Sequence, residues 1–260
     1  MKALNVKVII SLLSFIALLL CSSHLHANQD KVYKIGVENI DYYPHYAFGH
    51  HKNSFIKELL ESFFKSNNIK YEFVPLPLKR FNQWYLKDSI DFKYPDNAMW
   101  RTGESKSLPI IYSSSVIKST AGSVVLNTNL SRKRDQIERL GTITGFSPVL
   151  WQDKVDDNKV KVLNDSAVLS VIKMAIHGLV DVINLDYSVV NYHLNNLNKN
   201  KQLLMNPNLA NQKINFHLST IKHKKIILKF NDFLKSNKKL VENLKDKYQI
   251  IEDPFDLNTF

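Results

Sequence analysis

Residues 91–101, DFKYPDNAMWR, place two aspartates, a lysine, a tyrosine, a tryptophan and an arginine around what reads as a Pro-Asp-Asn turn built on Pro95, Asp96 and Asn97. A guanidinium offers a planar fork of donors that matches a carboxylate or phosphate, so Arg101 is a candidate anion anchor. An ion pair with Asp91, Asp96 or Glu104 would use it equally well, and Trp100 reads as packing. The stretch YYPHYAF supplies Tyr42, Tyr43, Tyr46 and Phe48, either a stacking wall for a ligand or an anchor that holds its own loop down. In GFSPVLW, Ser147 and Pro148 read as the N-cap and first residue of a helix. Free N–H groups there would favour an anionic ligand group, although capping alone explains the pair. Asp186, after the run VDVINL, can accept hydrogen bonds from an ammonium, while Asp181 inside that run reads as structural.

Other chemistry finds little support. His45, His50 and His51 are close in sequence, but no cysteine or carboxylate completes a metal-ligand spacing, so neither a metal nor another cofactor is expected. The sequence holds no G-x-S-x-G, H-E-x-x-H or G-x-x-x-x-G-K motif. Glu38 and Asp96 are the loop carboxylates to test for acid/base work, and the expectation is that the protein is not an enzyme.

The elements that must position these residues follow a regular order. KVYKIGV alternates as a strand, SFIKELLESFFKSNN carries an apolar helical stripe with Ser54 as its N-cap, and YEFVPL is a second strand. A short helix over 79–88 and the strand SIDFKY complete a β-α-β-α-β series. A second cycle starts near residue 122: strand VVL, short helix DQIERL, strand GTIT, the Ser147 helix, strand KVKVL, helix DSAVLSVIKMAIHG, strand VDVINL and helix SVVNYHLNNL. INFHLSTI then reads as a strand and KIILKFNDFLKSNKKLVENLKDKY as one or two helices. Two α/β lobes imply a cleft between them, with ligands beyond the carboxyl ends of the strands.

The N-terminus bounds the compartment. Lys2 and Lys7, an apolar run over 8–20 and the tract CSSHLHA read as a secretory signal peptide spanning 1–27. The apolar run is shorter than the roughly 20 residues of a membrane span. Lipidation at Cys21 is the alternative, disfavoured by Leu20 where that processing prefers a small residue. Cys21 is the one cysteine, so the exported part relies on its core, which suits a bacterial periplasm. The formal charge of +11 comes from lysines dispersed among asparagines, without an arginine-rich stripe, so nucleic acid is not expected as a partner.

The order of these features over about 31–250 resembles the family 3 extracellular solute-binding proteins of bacterial ABC transporters. The features that carry it are IGV before YYPHYAF, LKR at 78–80, the SIDF strand, Arg101 with Tyr112 eleven residues on, GTITGFS, GLVDVINLD, and FNDFL…KDKY. The resemblance implies an α/β two-lobe periplasmic-binding-protein-like (type II) fold, each lobe a mostly parallel sheet flanked by helices. It puts lobe 1 at 28–116, lobe 2 at 117–213 and the return to lobe 1 at 214–260. It implies a monomer that captures an amino acid or related charged solute for an inner-membrane permease, or reports it to a membrane sensor. It further implies that Tyr42 stacks on the ligand, Arg101 grips an α-carboxylate, Ser147 assists, and Asp186 holds an α-amino group. Tyr94, Pro95 and Asp96 stand where the family carries small hydroxyl residues, so Tyr94 and Asp96 reshape the pocket. Asp96 would pair with a cationic ligand group or with Arg101. An exported dehydratase on the same fold is the remaining alternative.

Overall fold

The computed structural model describes residues 31–48 and 52–255. The expected signal peptide, Cys21, His50 and His51 lie outside the described residues. The chain runs through β1 (Tyr33–Glu38) and α1 (Phe55–Ser66) into β2 (Tyr71–Leu76), which pairs parallel with β1. α1 forms because Phe55, Ile56, Leu59, Leu60, Phe63 and Phe64 share one face, and all are fully buried. Each such side chain contributes about 1.5–3 kcal/mol. A 3-10 turn over Leu78–Gln83 leads into α2 (Trp84–Lys87). β3 (Phe92–Asp96) then joins the other side of β1, also parallel, with Val37 opposite Tyr94. β4 (Ile111–Tyr112) and β5 (Ile117–Ala121) follow.

The second sheet begins with β6 (Val124–Leu126) and continues through β7 (Arg139–Ile143), α3 (Gln152–Asp156), β8 (Lys161–Asp165) and α4 (Val168–Ile176). β9 (Val182–Ile183), α5 (Tyr187–Asn196) and β10 (Leu203–Met205) complete it in the order β10-β6-β9-β7-β8. β11 (Gln212–Thr220) returns to the first sheet, whose order is β2-β1-β3-β11-β4 with β5 also on β11. α6 (Lys224–Ser236) packs on β4 and β11, and α7 (Lys238–Lys247) packs on α1. Both sheets are mixed. Parallel pairing occurs where strand and helix alternate, and the strands that enter or leave a lobe pair antiparallel.

Two segments cross between the lobes, and they are tied together. β5 and the first half of β11 form an antiparallel ribbon from Gln212 opposite Ala121 to Phe216 opposite Ile117. Beyond it, Asn206 N donates to the Ser123 carbonyl at 2.9 Å and Ser123 Oγ donates to the Ala210 carbonyl at 3.2 Å.

Three local readings change. Pro95 and Asp96 belong to β3 rather than to a turn, because β3 pairs with β11 as far as Asp96 opposite His217, across a register shift between His217 and Ser219. The turn starts one residue later, where Asn97 Oδ1 accepts the Met99 N–H at 2.8 Å. DQIERL forms a 3-10 turn over Arg134–Gln136 and then enters β7. The segment after Ser147 is a 3-10 turn over Val149–Trp151 followed by the five-residue α3, and Pro148, with ψ 64, is not helical. The Ser147 side chain therefore caps no helix, and its carbonyl accepts the Val149 N–H at 2.9 Å.

Candidate functional site

A cavity of about 330 Å³ opens between the two sheets and draws its walls from both. Glu38, Tyr42, Tyr46, Leu78, Phe81, Trp100 and Phe216 line it from the first lobe, and Phe146, Ser147, Asn184, Leu185 and Asp186 from the second. Ser119 and Gln212, on the crossing ribbon, close its back. Gly145, whose φ of +100° suits glycine, faces Leu78 of the other lobe across the cavity wall. A Cβ at that position would lie 3.3 Å from Leu78 Cδ2 and 3.4 Å from its carbonyl carbon, so a larger side chain would have to displace Leu78.

Asp186 is the polar hub. It lies at the N-cap of α5, and its Oδ1 accepts the Ser188 N–H at 2.8 Å. The same oxygen is 2.7 Å from His45 Nε2, and Oδ2 accepts the Ser119 hydroxyl. Its backbone N–H donates to the Tyr42 hydroxyl at 2.8 Å. Thus one lobe 2 residue is held by His45 and Tyr42 of lobe 1 and by the ribbon. Burial pushes the Asp186 carboxyl up, but the His45 ring and the hydrogen bonds from His45, Ser119 and Ser188 outweigh it, leaving the group below its ordinary 3.8. Farther out, Lys52 Nζ donates to Tyr192 Oη at 2.7 Å and lies 3.6 Å from the Tyr43 ring centroid.

Glu38, at the end of β1, is 4 % exposed and accepts the Tyr46 hydroxyl on Oε2. Burial raises its carboxyl from 4.5 to about 8, against the Tyr46 hydrogen bond and the Lys93 charge and with the help of Asp96. Two buried carboxyls therefore line the cavity, Glu38 pushed toward its neutral form and Asp186 held toward its charged form.

A second polar layer lies behind this wall. Lys93 Nζ is 3.3 Å from Asp96 Oδ1 and 3.7 Å from the Phe81 ring centroid. Asp96 also accepts from Ser219 Oγ at 2.6 Å and from the Asn97 N–H at 2.9 Å. Burial drives the two charges toward neutrality, with Asp96 raised and Lys93 lowered, each opposed by its partner.

Of the six residues expected to meet a ligand, Tyr42, Ser147 and Asp186 lie on the cavity wall, and Tyr94, Asp96 and Arg101 do not. Tyr94 is fully buried and stands edge-on to Tyr46 at 6.5 Å. Asp96 pairs with Lys93 rather than with Arg101. Arg101 Nη2 donates to the Leu108 carbonyl at 2.9 Å, and its Cζ is 5.7 Å from the Tyr112 ring centroid. Trp100, read as packing, lines the cavity. Among the described residues no group of three or more His, Cys, Asp or Glu side chains is placed to hold a metal ion. Sequence reasoning singled out Glu38 only as a carboxylate to test; its place at the carboxyl end of the first strand was the signal. Ser119 gave none, since it belongs to no motif, and in GTITGFS only Ser147, not Phe146, was singled out.

No protein-family model matches this sequence, and no curated protein does. Solved structures share the fold. An ancestral arginine-binding protein bound to arginine superposes with a TM-score of 0.64 at 18% identity, covering 84% of this chain and 97% of the other. A periplasmic His/Glu/Gln/Arg/opine family-binding protein from Silicibacter pomeroyi, in complex with lysine, gives 0.63 at 12% identity over 84% and 96%. An ancestral amino acid-binding protein, described as a precursor of cyclohexadienyl dehydratase, gives 0.62 at 16% identity over 84% and 95%. With two α/β lobes, a crossing ribbon and a cavity between them, the chain has the two-lobe fold of periplasmic amino-acid-binding proteins.

Proposed function

We propose that this protein is a periplasmic solute-binding protein that closes its two lobes around a small polar or charged solute, an amino acid or related compound. The observation that carries the reading is the shared cavity, in which Asp186 of one lobe is gripped by Tyr42 and His45 of the other. A solute seated there would touch both lobes and favour their closed arrangement. Tyr42, Ser147 and Asp186 are the proposed contacts among the residues first expected, with lobe limits at 28–116, 117–213 and 214–260. Arg101 is not proposed as a contact, because it lies off the cavity wall, with Nη2 on the Leu108 carbonyl and Nε buried without a partner. The solute would pass to an ABC-type permease or be reported to a membrane sensor, and the neighbouring genes distinguish these routes.

The test is a thermal-shift screen of the purified protein against amino acids, amines, small carboxylates and sugars. A binder selective for the folded state raises the midpoint by mass action. The reading expects at least one class to do so, and to lose its effect in Asp186→Ala; a protein that responds to none contradicts it. A dehydratase-like reading draws on one observation, the buried Glu38 carboxyl at the wall, and turnover of a prephenate-like substrate would support it.

A further inference from the structure

Resting on the solute-binding reading, the cavity's own chemistry narrows the solute. Of the carboxyl groups on its wall, Asp186 is satisfied by His45, Ser119 and Ser188. Glu38 is not. Its Oε2 takes the Tyr46 hydroxyl, and Oε1 has no hydrogen-bond partner among the described residues. No guanidinium reaches the wall, and Lys93 lies behind it on Asp96. Lys79, the one Lys or Arg on the wall among the described residues, is an exposed residue whose charge is screened by water. The rings of Phe81, Trp100, Phe146 and Phe216 supply the remaining surface, suited to an apolar body and, by their faces, to a cation.

We propose that the cavity takes an organic amine with an apolar or aromatic body and no carboxylate, its ammonium seated on Glu38. A zwitterionic amino acid would bring a carboxylate onto a buried wall whose cation among the described residues is the exposed Lys79, which leaves that carboxylate poorly met. The titratable groups facing Glu38 are Tyr42 and Tyr46 from the loop after β1, and Lys93, Tyr94 and Asp96 from β3. Lys93, the one cation among them, is ion-paired with Asp96 and makes no hydrogen bond to Glu38. When an ammonium arrives, the Glu38 O–H bond breaks, its proton leaves to solvent, and the carboxylate so formed accepts from the ammonium. Uptake therefore releases close to one proton per amine bound below about pH 8, and affinity climbs by up to about tenfold per pH unit toward that value.

Calorimetry of the full folded chain with 2-phenylethylamine, phenylalanine and 2-phenylethanol separates the alternatives. The amine is expected to bind at least about 30-fold tighter than phenylalanine, with a heat that depends on the buffer's ionisation enthalpy. Glu38→Gln should abolish that dependence and weaken the amine by a similar factor. Glu38→Asp should recover part of it, which a merely structural role would not allow. Equal binding of phenylalanine or of the neutral alcohol, or of the amine by Glu38→Gln, overturns the amine assignment and leaves solute capture standing. Silence toward all three, with a response to sugars or carboxylates in the thermal-shift screen, also overturns only the amine assignment; silence throughout overturns both.

Discussion

Asp186 and Glu38 face one cavity from different lobes, both almost wholly buried, yet their carboxyls are held on opposite sides of their ordinary range. Burial raises both. The difference lies in the donors each receives: Asp186 is surrounded by a ring nitrogen, a hydroxyl and an N–H, whereas Glu38 has one phenol. Burial alone does not fix ionisation; the count of partners does. The Asp186 end works as a joint between lobes, and the Glu38 end remains chemically unspent.

The largest effect is expected from removing the joint. Asp186→Ala leaves His45 buried without its partner and should cost about 3–5 kcal/mol in denaturant unfolding. A loss below about 1 kcal/mol would mean that the pair holds nothing together.

Glu38 is expected to act through pH. Its folded value lies near 8 against an ordinary 4.5, so the unfolded chain binds fewer protons across that window. The stability Glu38 contributes is complete below about 4.5 and is lost as pH rises through about 8. Asp186 behaves inversely: its contribution is present above its ordinary 3.8 and lost as pH falls through its lower folded value. Glu38→Gln should flatten the slope between about 4.5 and 8, removing a loss of about 4 kcal/mol that the wild type accumulates by pH 8. An unchanged slope would assign that titration to another group.

Next comes the contact between lobes. Gly145→Val meets both an unfavourable φ of +100° and the Leu78 backbone, and should cost about 1–3 kcal/mol while weakening any ligand that needs closure. Full ligand affinity in that variant would show that closure does not pass through this contact.

The smallest effect is expected at the residue the sequence made most prominent. Arg101→Ala removes one hydrogen bond to Leu108, worth about 1 kcal/mol, and should leave ligand affinity unchanged. A tenfold loss of affinity would restore Arg101 to the site.

That last contrast shows how far the sequence could be read. The two lobes were legible because helical stripes such as Phe55 to Phe64 and short apolar strands announce their own period. Asp186 and Tyr42 were legible because each follows a strand. Arg101 was placed by chemical type alone, and type does not say which way a side chain points. The Leu108 carbonyl takes its guanidinium only once the chain has turned through Gly103–Ser107. Asp96 likewise reads as a loop acid until β11, more than a hundred residues later, sets it in a strand beside Ser219. Ser119 reaches Asp186 through a lobe crossing that no local pattern encodes.

The most direct measurement follows the carboxyl carbons of Asp and Glu by ¹³C NMR from pH 2 to 10, using Glu38→Gln and Asp186→Asn to assign the two resonances. The expected result is one group titrating near 8 and the other below 3.8, with the first moving down when 2-phenylethylamine is added. Both groups titrating together near ordinary carboxyl values, unmoved by the amine, would contradict it.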